Sequence, residues 1–284
     1  MGFSGFGFDS AQGGLAGFQG AQGGGGGVEP NPLLDDIQYH FKFDSISGFL
    51  TDSITGNVLS STNSPTTEVG VVGQSIGIND TDESRAFSTN SAFLTAASES
   101  ASADPSANVA YPFTVALWVY PELRSGWAYS TYWLIETNSS GWNWILWAEP
   151  SWDGSTHKFY FGVVGNGSLR YCNLSTVQGF DSWHFLVLNY YGINHDETGS
   201  FQLTENAKRI SLVTGSAGSG SITDTGFHTC CGEELQAGTE LKIGDAPSYD
   251  VNGRYDLFTR WNRIVPDDQI LEFYNLSKAG VAPI

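Results

Sequence analysis

The chain has 284 residues, of which 40% are hydrophobic and 15% are charged, and its formal net charge at pH 7 is −18. A chain this rich in apolar and aromatic residues folds rather than staying disordered, and its length is sufficient for a sizeable core. The excess of acidic side chains repels phosphate backbones and anionic lipids, so we expect neither nucleic acid nor membrane insertion among its interactions.

The first segment, residues 1–32, is rich in glycine and closes with Pro30 and Pro32. Glycine lets a backbone follow narrow grooves, and spaced aromatic side chains can fill apolar pockets on a partner. We therefore predict an extended assembly arm at 1–32, with a flexible linker as the alternative, ahead of a folded domain at 33–284. The predicted anchors of the arm are Phe3, Phe6, Phe8 and Phe18.

The start of the chain also lacks the cationic region and the apolar run of a secretory signal. The sequence thus predicts synthesis in the cytoplasm without a cleaved export signal. The three cysteines, Cys172, Cys230 and Cys231, have no spaced zinc or disulfide pattern, and we expect free thiols.

From residue 38 onward, short segments alternate between apolar and polar residues. In QYHFKFD, Tyr39, Phe41 and Phe43 share one face, which is the period of a half-buried strand. FTVALWVY, WHFLVLNYY and YDLFTRW are similar, so we predict an all-β sandwich. A single helix is predicted in VPDDQILEFYNLSKAG, with an apolar face formed by Ile270, Leu271, Phe273 and Tyr274.

The order of HFKFDSISGFLTDSITGN, GQSIGIND, YPFTVALWVYP, DSWHFLVLNYYG and RYDLFTRWNRIVPDDQILEFYN resembles the laminin-G-like, concanavalin A-like lectin/glucanase domains. The resemblance implies a jelly-roll sandwich of two antiparallel sheets with a short C-terminal helix. Because many relatives bind calcium through their first and last strands, it also implies Asp44 and Asp256 as calcium ligands. No other cofactor is expected.

Catalytic motifs are not evident. The glucanases of this fold carry Glu-x-Asp-x-x-Glu on one strand, and this sequence has no such motif. Glu136 and Glu149 flank a tryptophan-rich stretch and are the best carboxylate pair for a glycosidase, although solvated rim carboxylates are far commoner. We therefore predict a protein that is not an enzyme.

The tryptophan-rich stretch contains WNWILW, where Trp142 and Trp144 alternate with Asn143, Ile145 and Trp147. One face of this strand must meet the core. The other face would show aromatic and polar groups together, as sugar-binding surfaces do. Core or subunit interface is the favoured interpretation, and a glycan platform formed by Trp142, Trp144, Trp147, Glu136 and Glu149 is the alternative.

A lectin-like domain usually acts outside cells, yet no export signal is evident, and release of a virion by lysis would reconcile the two. The leading prediction is therefore a non-catalytic virion protein of a bacteriophage, a surface component such as a capsid decoration, head fibre or tail protein. It would be made in the host cytoplasm and anchored to the virion by its arm. We expect many copies or a homo-oligomer, with other virion proteins as partners and a cell-surface glycan as a further partner. The alternatives are an extracellular or cell-surface carbohydrate-binding module and a glycoside hydrolase with an unusual carboxylate pair.

Overall fold

A computed structural model of the chain describes residues 31–44, 50–78, 85–95, 112–122, 131–138, 141–150, 156–165, 168–178, 181–193, 207–216, 222–231, 235–244 and 253–284. By their contacts, residues Pro32–Ile284 form one compact unit. The predicted arm anchors Phe3, Phe6, Phe8 and Phe18 lie outside the described residues, and so do the side chains of the three cysteines.

The regular elements are mostly strands. They are β1 (Ile37–Phe41), β2 (Ser60–Thr62), β3 (Thr66–Val69), β4 (Gln74–Ile78), β5 (Arg85–Ser88), β6 (Phe113–Pro121), β7 (Thr131–Asn138), β8 (Gly141–Pro150), β9 (Thr156–Gly165), β10 (Ser168–Gln178), β11 (His184–Ile193), β12 (Ala207–Ser216), β13 (Ile222–Cys231), β14 (Glu240–Ile243) and β15 (Gly253–Trp261), followed by helix α1 (Asp267–Lys278).

The strands form two antiparallel sheets. The eight-stranded sheet has the order β13-β12-β11-β6-β15-β4-β3, with β1 also paired to β15, and the seven-stranded sheet has the order β10-β9-β8-β7-β14-β5-β2. The prediction of an all-β sandwich of two antiparallel sheets is confirmed.

Alternation along the central strand β6 divides its side chains between two cores. Phe113, Val115 and Leu117 point between the sheets, where they pack with apolar residues of the seven-stranded sheet such as Leu134 and Trp144. The intervening Ala116 and Trp118 point to the opposite face and enter a second apolar cluster. Because β6 is buried on both faces, its sequence is almost continuously apolar.

Helix α1 covers this second face of the eight-stranded sheet. The ring of Trp118 stacks on Tyr274 at a centroid distance of 5.7 Å, and its Nε1 donates to Ser277 Oγ at 3.0 Å. The predicted helix is confirmed, but Leu271, assigned to its apolar face, is 40% exposed. Among the described parts of the chain, no helix combines the length and the hydrophobicity needed to cross a lipid bilayer.

Strand β15 contains a bulge that redirects its side chains. Its pairing with β6 shifts between Asp256 and Thr259, and Leu257 adopts a left-handed backbone with φ 49°. As a result Tyr255 and Phe258, three residues apart, both face the inter-sheet core. The same bulge buries Asp256 and positions Arg260 inside the sandwich.

Candidate functional site

The carboxylate of Glu136 lies inside the sandwich. Its Oε2 accepts a hydrogen bond from the Thr95 backbone N–H at 2.9 Å and lies 3.5 Å from Arg260 Nη1, which reaches across from β15 on the other sheet. The Arg260 guanidinium also sits over the ring of Phe113, 4.5 Å from its centroid. Glu136 is fully buried, so it cannot contact a glycan on the surface.

Asn143 completes the surroundings of Glu136. A bulge in the β7–β8 pairing leaves Asn143 without a register partner, opposite the peptide between Glu136 and Thr137. The Nδ2 of Asn143 donates to Glu136 Oε1 at 2.5 Å. The same amide pairs with the Gln236 backbone through two bonds of 2.8 Å. The Glu136 carboxylate is thus held by donors on both oxygens, which suits a structural anion that ties loops and sheets together rather than a proton-transfer group.

Two tryptophans of β8, Trp144 and Trp147, are buried on opposite faces of the strand. Trp144 and Leu146 enter the inter-sheet core, as the alternation predicts. Trp147 lies on the opposite face, stacked on Tyr160 of β9 at 5.1 Å, and is 3% exposed. Neither Trp144 nor Trp147 therefore presents a ring to solvent, and Asn143 departs from the predicted face because of the bulge.

The remaining two residues of that predicted platform cannot be placed in the same way. Trp142 and Glu149 belong to β8, but their side chains lie outside the described part of the structure. The core interpretation therefore applies to Trp144, whereas the expectation of a solvated rim carboxylate is wrong for Glu136, which is buried. The assignment of Trp142 and Glu149 stays a prediction.

Asp44 and Asp256, the predicted calcium ligands, both hold the turn at residues 70–74. Asp256 Oδ2 accepts from the backbone N–H groups of Val71 and Val72, at 2.7 and 2.9 Å, and its Oδ1 accepts from the N–H of Leu257 at 2.8 Å. Asp44 Oδ1 accepts from the Gln74 N–H at 3.2 Å. The structure thus brings the two carboxylates to one turn, although they are 212 residues apart in sequence.

The electrostatics of Asp256 do not resemble an open cation site. Burial raises the pKa of its carboxyl well above the usual value; the three N–H donors oppose this rise, and the Asp44 carboxylate adds to it. Calcium requires six to eight oxygens, whereas the oxygens of Asp256 already face N–H donors. The described residues contain no group of three or more His, Cys, Asp or Glu that could hold a metal ion, and the calcium assignment stays a prediction.

An accessible aromatic and charged surface lies on the outer face of the eight-stranded sheet. Tyr120 follows Trp118 on this face and is more exposed than Trp118, and it meets Trp183 edge-on, with ring centroids 5.4 Å apart. Both rings are half-buried. The Arg254 guanidinium also lies over Tyr120, 4.5 Å from the ring centroid, and its Nε donates to Glu122 Oε1 at 2.9 Å.

We call these four residues, Trp183, Tyr120, Arg254 and Glu122, the Trp183 surface. Strand register assembles it: Arg254 of β15 pairs directly with Tyr120 of β6, and Trp183 precedes β11, whose first residue pairs with Val119. The side chains of Arg254 and Glu122 are 27% and 34% exposed. The surface therefore combines an aromatic platform with donors and acceptors that solvent and ligands can reach.

Sequence reasoning missed the Trp183 surface because its members come from three distant segments. A partial signal was present, since Trp118 and Tyr120 share a strand face and Trp183 is the first residue of the predicted strand WHFLVLNYY. The pairing of Arg254 with Tyr120 depends on register, which the alternation within single strands does not define.

Comparison with known proteins establishes the fold alone. No family model matches the chain, and no curated protein matches it significantly. Among solved structures, the chain is similar to domain 4 of an extracellular GH43 arabinanase from Geobacillus stearothermophilus, which was solved in complex with arabinotriose. The two align with a TM-score of 0.51 and 14% sequence identity, and the alignment covers 83% of this chain and 97% of the arabinanase domain.

Botulinum neurotoxins are similar as well. A type C structure, from a toxin whose passage into cells depends on interaction with two ganglioside molecules, aligns with a TM-score of 0.54 at 10% identity over 86% of this chain. A type DC binding domain in complex with rat synaptotagmin II aligns with a TM-score of 0.52 at 10% identity, also over 86% of this chain. The chain spans about half the length of these two toxin chains, 51% and 52%. The chain therefore has the concanavalin A-like jelly-roll fold, as the sequence predicts.

Proposed function

We propose that this protein is a non-catalytic carbohydrate-binding module that takes its glycan on the Trp183 surface. The observation that carries the proposal is the edge-on pair of Trp183 and Tyr120 beside the Arg254–Glu122 ion pair, on the outer face of the eight-stranded sheet, where the Arg254 and Glu122 side chains are 27% and 34% exposed. Sugars bind proteins by stacking their C–H faces on aromatic rings while charged and amide groups take their hydroxyls.

The similar structures support this choice over an assembly protein without a ligand. The arabinanase domain was solved with arabinotriose, and the type C neurotoxin interacts with gangliosides. The burial of Glu136, with donors on both carboxylate oxygens, argues against its use as a catalytic acid or base. A glycan-binding module thus accounts for the fold and the accessible surface without requiring catalytic chemistry.

The experiment is a glycan array followed by titration of the best ligand into wild type and Trp183→Ala. We expect the substitution to weaken binding at least tenfold, because the stacking platform is lost. Phe87→Ala is the matched control, since Phe87 is a half-buried aromatic residue of β5 in the other sheet, and it should change the affinity less than twofold.

Trp183 also packs against the apolar cluster under α1, so its loss could disturb folding. Arg254→Ala is a second variant of the same surface, and thermal unfolding shows whether each variant remains native. The absence of any glycan ligand, or equal binding by folded Trp183→Ala and Arg254→Ala, would refute the proposal.

The virion assignment is a finer and separate part of the proposal. It depends on the arm at 1–32, whose Phe3, Phe6, Phe8 and Phe18 lie outside the described residues, and it stays a prediction. Deletion of residues 1–27 tests it: the truncated protein should remain folded and still bind glycan but no longer join a particle. Unchanged incorporation would contradict the anchoring role.

A further inference from the structure

We propose that the Trp183 surface selects uncharged glycans and rejects those that carry carboxylate or sulfate groups, an inference that rests on the proposed function. It follows from the way the guanidinium of Arg254 is paired with Glu122 and from the excess of acidic residues in the described neighbouring segments.

The positive charge of Arg254 is already compensated. Its Nε donates to Glu122 Oε1 at 2.9 Å, and the flat face of the guanidinium lies over Tyr120. Within the described residues, neither Nη group of Arg254 makes a hydrogen bond, and Glu122 Oε2 has no partner. The surface therefore offers donors and an acceptor side by side, with no net positive charge of its own.

Further acidic residues belong to the chain segments next to this pair. Gly77 of β4 is the register partner of Arg254, and the position that a Cβ on Gly77 would occupy lies 3.1 Å from Glu68 Cγ and 2.5 Å from Thr66 Oγ1, which donates to Glu68 Oε1 at 3.3 Å. The backbone N–H of exposed Asp181 donates to the carbonyl of Pro121, the residue between Tyr120 and Glu122. Among the described residues of these segments, Glu68, Glu122 and Asp181 outnumber the one guanidinium of Arg254, and the net charge of the whole chain is also negative.

The two aromatic rings of the surface, Trp183 and Tyr120, have different roles. Because the guanidinium lies over the ring of Tyr120, which Trp183 meets at 63°, Trp183 is the ring left to act as the stacking platform. A sugar stacked on Trp183 would direct its hydroxyls toward the Arg254 Nη donors and Glu122 Oε2.

Hydroxyl groups fit this pair better than anions do. A hydroxyl both donates and accepts, so neighbouring hydroxyls can serve Arg254 and Glu122 together. A ligand carboxylate can only accept, and it would leave Glu122 Oε2 facing another anion at the cost of like-charge repulsion. The geometry thus favours neutral sugars and disfavours sialylated or sulfated ones.

The test compares arabinotriose, N-acetyllactosamine and other neutral oligosaccharides with matched sialylated and sulfated derivatives, for wild type, Glu122→Gln and Glu272→Gln. Glu272→Gln is the control, because Glu272 is an exposed carboxylate on α1. We expect wild type to prefer the neutral member of each pair at least tenfold. Glu122→Gln should lower the ratio of neutral to anionic affinity at least threefold, and Glu272→Gln should leave that ratio unchanged.

The outcomes separate this inference from the function on which it rests. Equal or tighter binding of the anionic derivatives, or an unchanged preference in Glu122→Gln, would overturn the charge selection while leaving a glycan-binding module. Failure of every neutral and anionic glycan to bind would overturn both.

Discussion

Arg260 and Glu136 face each other across the interior of the sandwich, with Nη1 of the arginine 3.5 Å from Oε2 of the glutamate. Their side chains are 4% and 0% exposed, and each belongs to a different sheet. The pair therefore links the two sheets through the core, at a place where either charge alone would lack compensation.

Removing the charge of one member of this pair should lower the free energy of unfolding more than removing both charges. Glu136→Gln leaves the Arg260 charge buried, and we expect a loss of about 3 kcal/mol in the free energy of unfolding. In the double variant Glu136→Gln with Arg260→Met, no charge is left behind and the glutamine oxygen can still accept a hydrogen bond, so much of that loss should be recovered. Chemical denaturation of the three proteins measures the difference, and a double variant less stable than Glu136→Gln would contradict the account.

His40 should make the protein sensitive to acid. Thr259 Oγ1 donates to the Leu257 carbonyl at 3.1 Å, so the proton between His40 Nδ1 and Thr259 Oγ1, 2.6 Å apart, belongs to the imidazole. Burial, with a smaller contribution from the charge of Lys42, lowers the pKa of this neutral His40 to about 3.

The sign of the effect follows from linkage. In the unfolded chain this histidine has a pKa of about 6.5, so between about pH 6.5 and 3 the unfolded state binds a proton that the native state does not bind. The free energy of unfolding therefore falls as the pH drops through this range. The loss should reach about 4 kcal/mol over that window. Denaturation of wild type and His40→Gln across this range isolates the effect, with His40→Phe as a second non-titrating variant; parallel pH profiles would exclude His40 as its source.

Asp256 should be more important to stability than Asp44. Three backbone N–H groups point at the Asp256 carboxylate, and in Asp256→Asn the new amide N–H₂ would confront one of them. We expect a loss of about 2 kcal/mol in unfolding free energy, which is typical of a buried donor left unsatisfied. Asp44→Asn is the matched control, because Asp44 is exposed and, among the described residues, accepts from one backbone N–H; equal losses in both variants would be evidence against this role of Asp256.

The parts of the fold that could be predicted are those that depend on the spacing of apolar residues within a single strand or helix. The alternation in FTVALWVY assigns Trp118 to the face opposite Val115 and Leu117, and the structure agrees. The helix near the end of the chain was likewise predictable from its apolar spacing.

What the sequence pattern did not reveal depends on long-range pairing. Glu136 looked like a surface carboxylate because its partner Arg260 is 124 residues away. The bulges at Asn143 and Leu257 redirect side chains against the simple alternation, and such insertions are set by tertiary contacts. The Trp183 surface requires the register of β15 against β6, so no single segment of the sequence indicated it.

The most direct measurement of the central claim is an NMR titration of isotopically labelled protein with the neutral glycan that binds best on the array. The account predicts that shifted backbone amides cluster around Tyr120, Glu122, Trp183 and Arg254, with the Trp183 indole N–H among the most affected signals. Shifts centred instead on β8 and β9, around Trp147 and Tyr160, would contradict it.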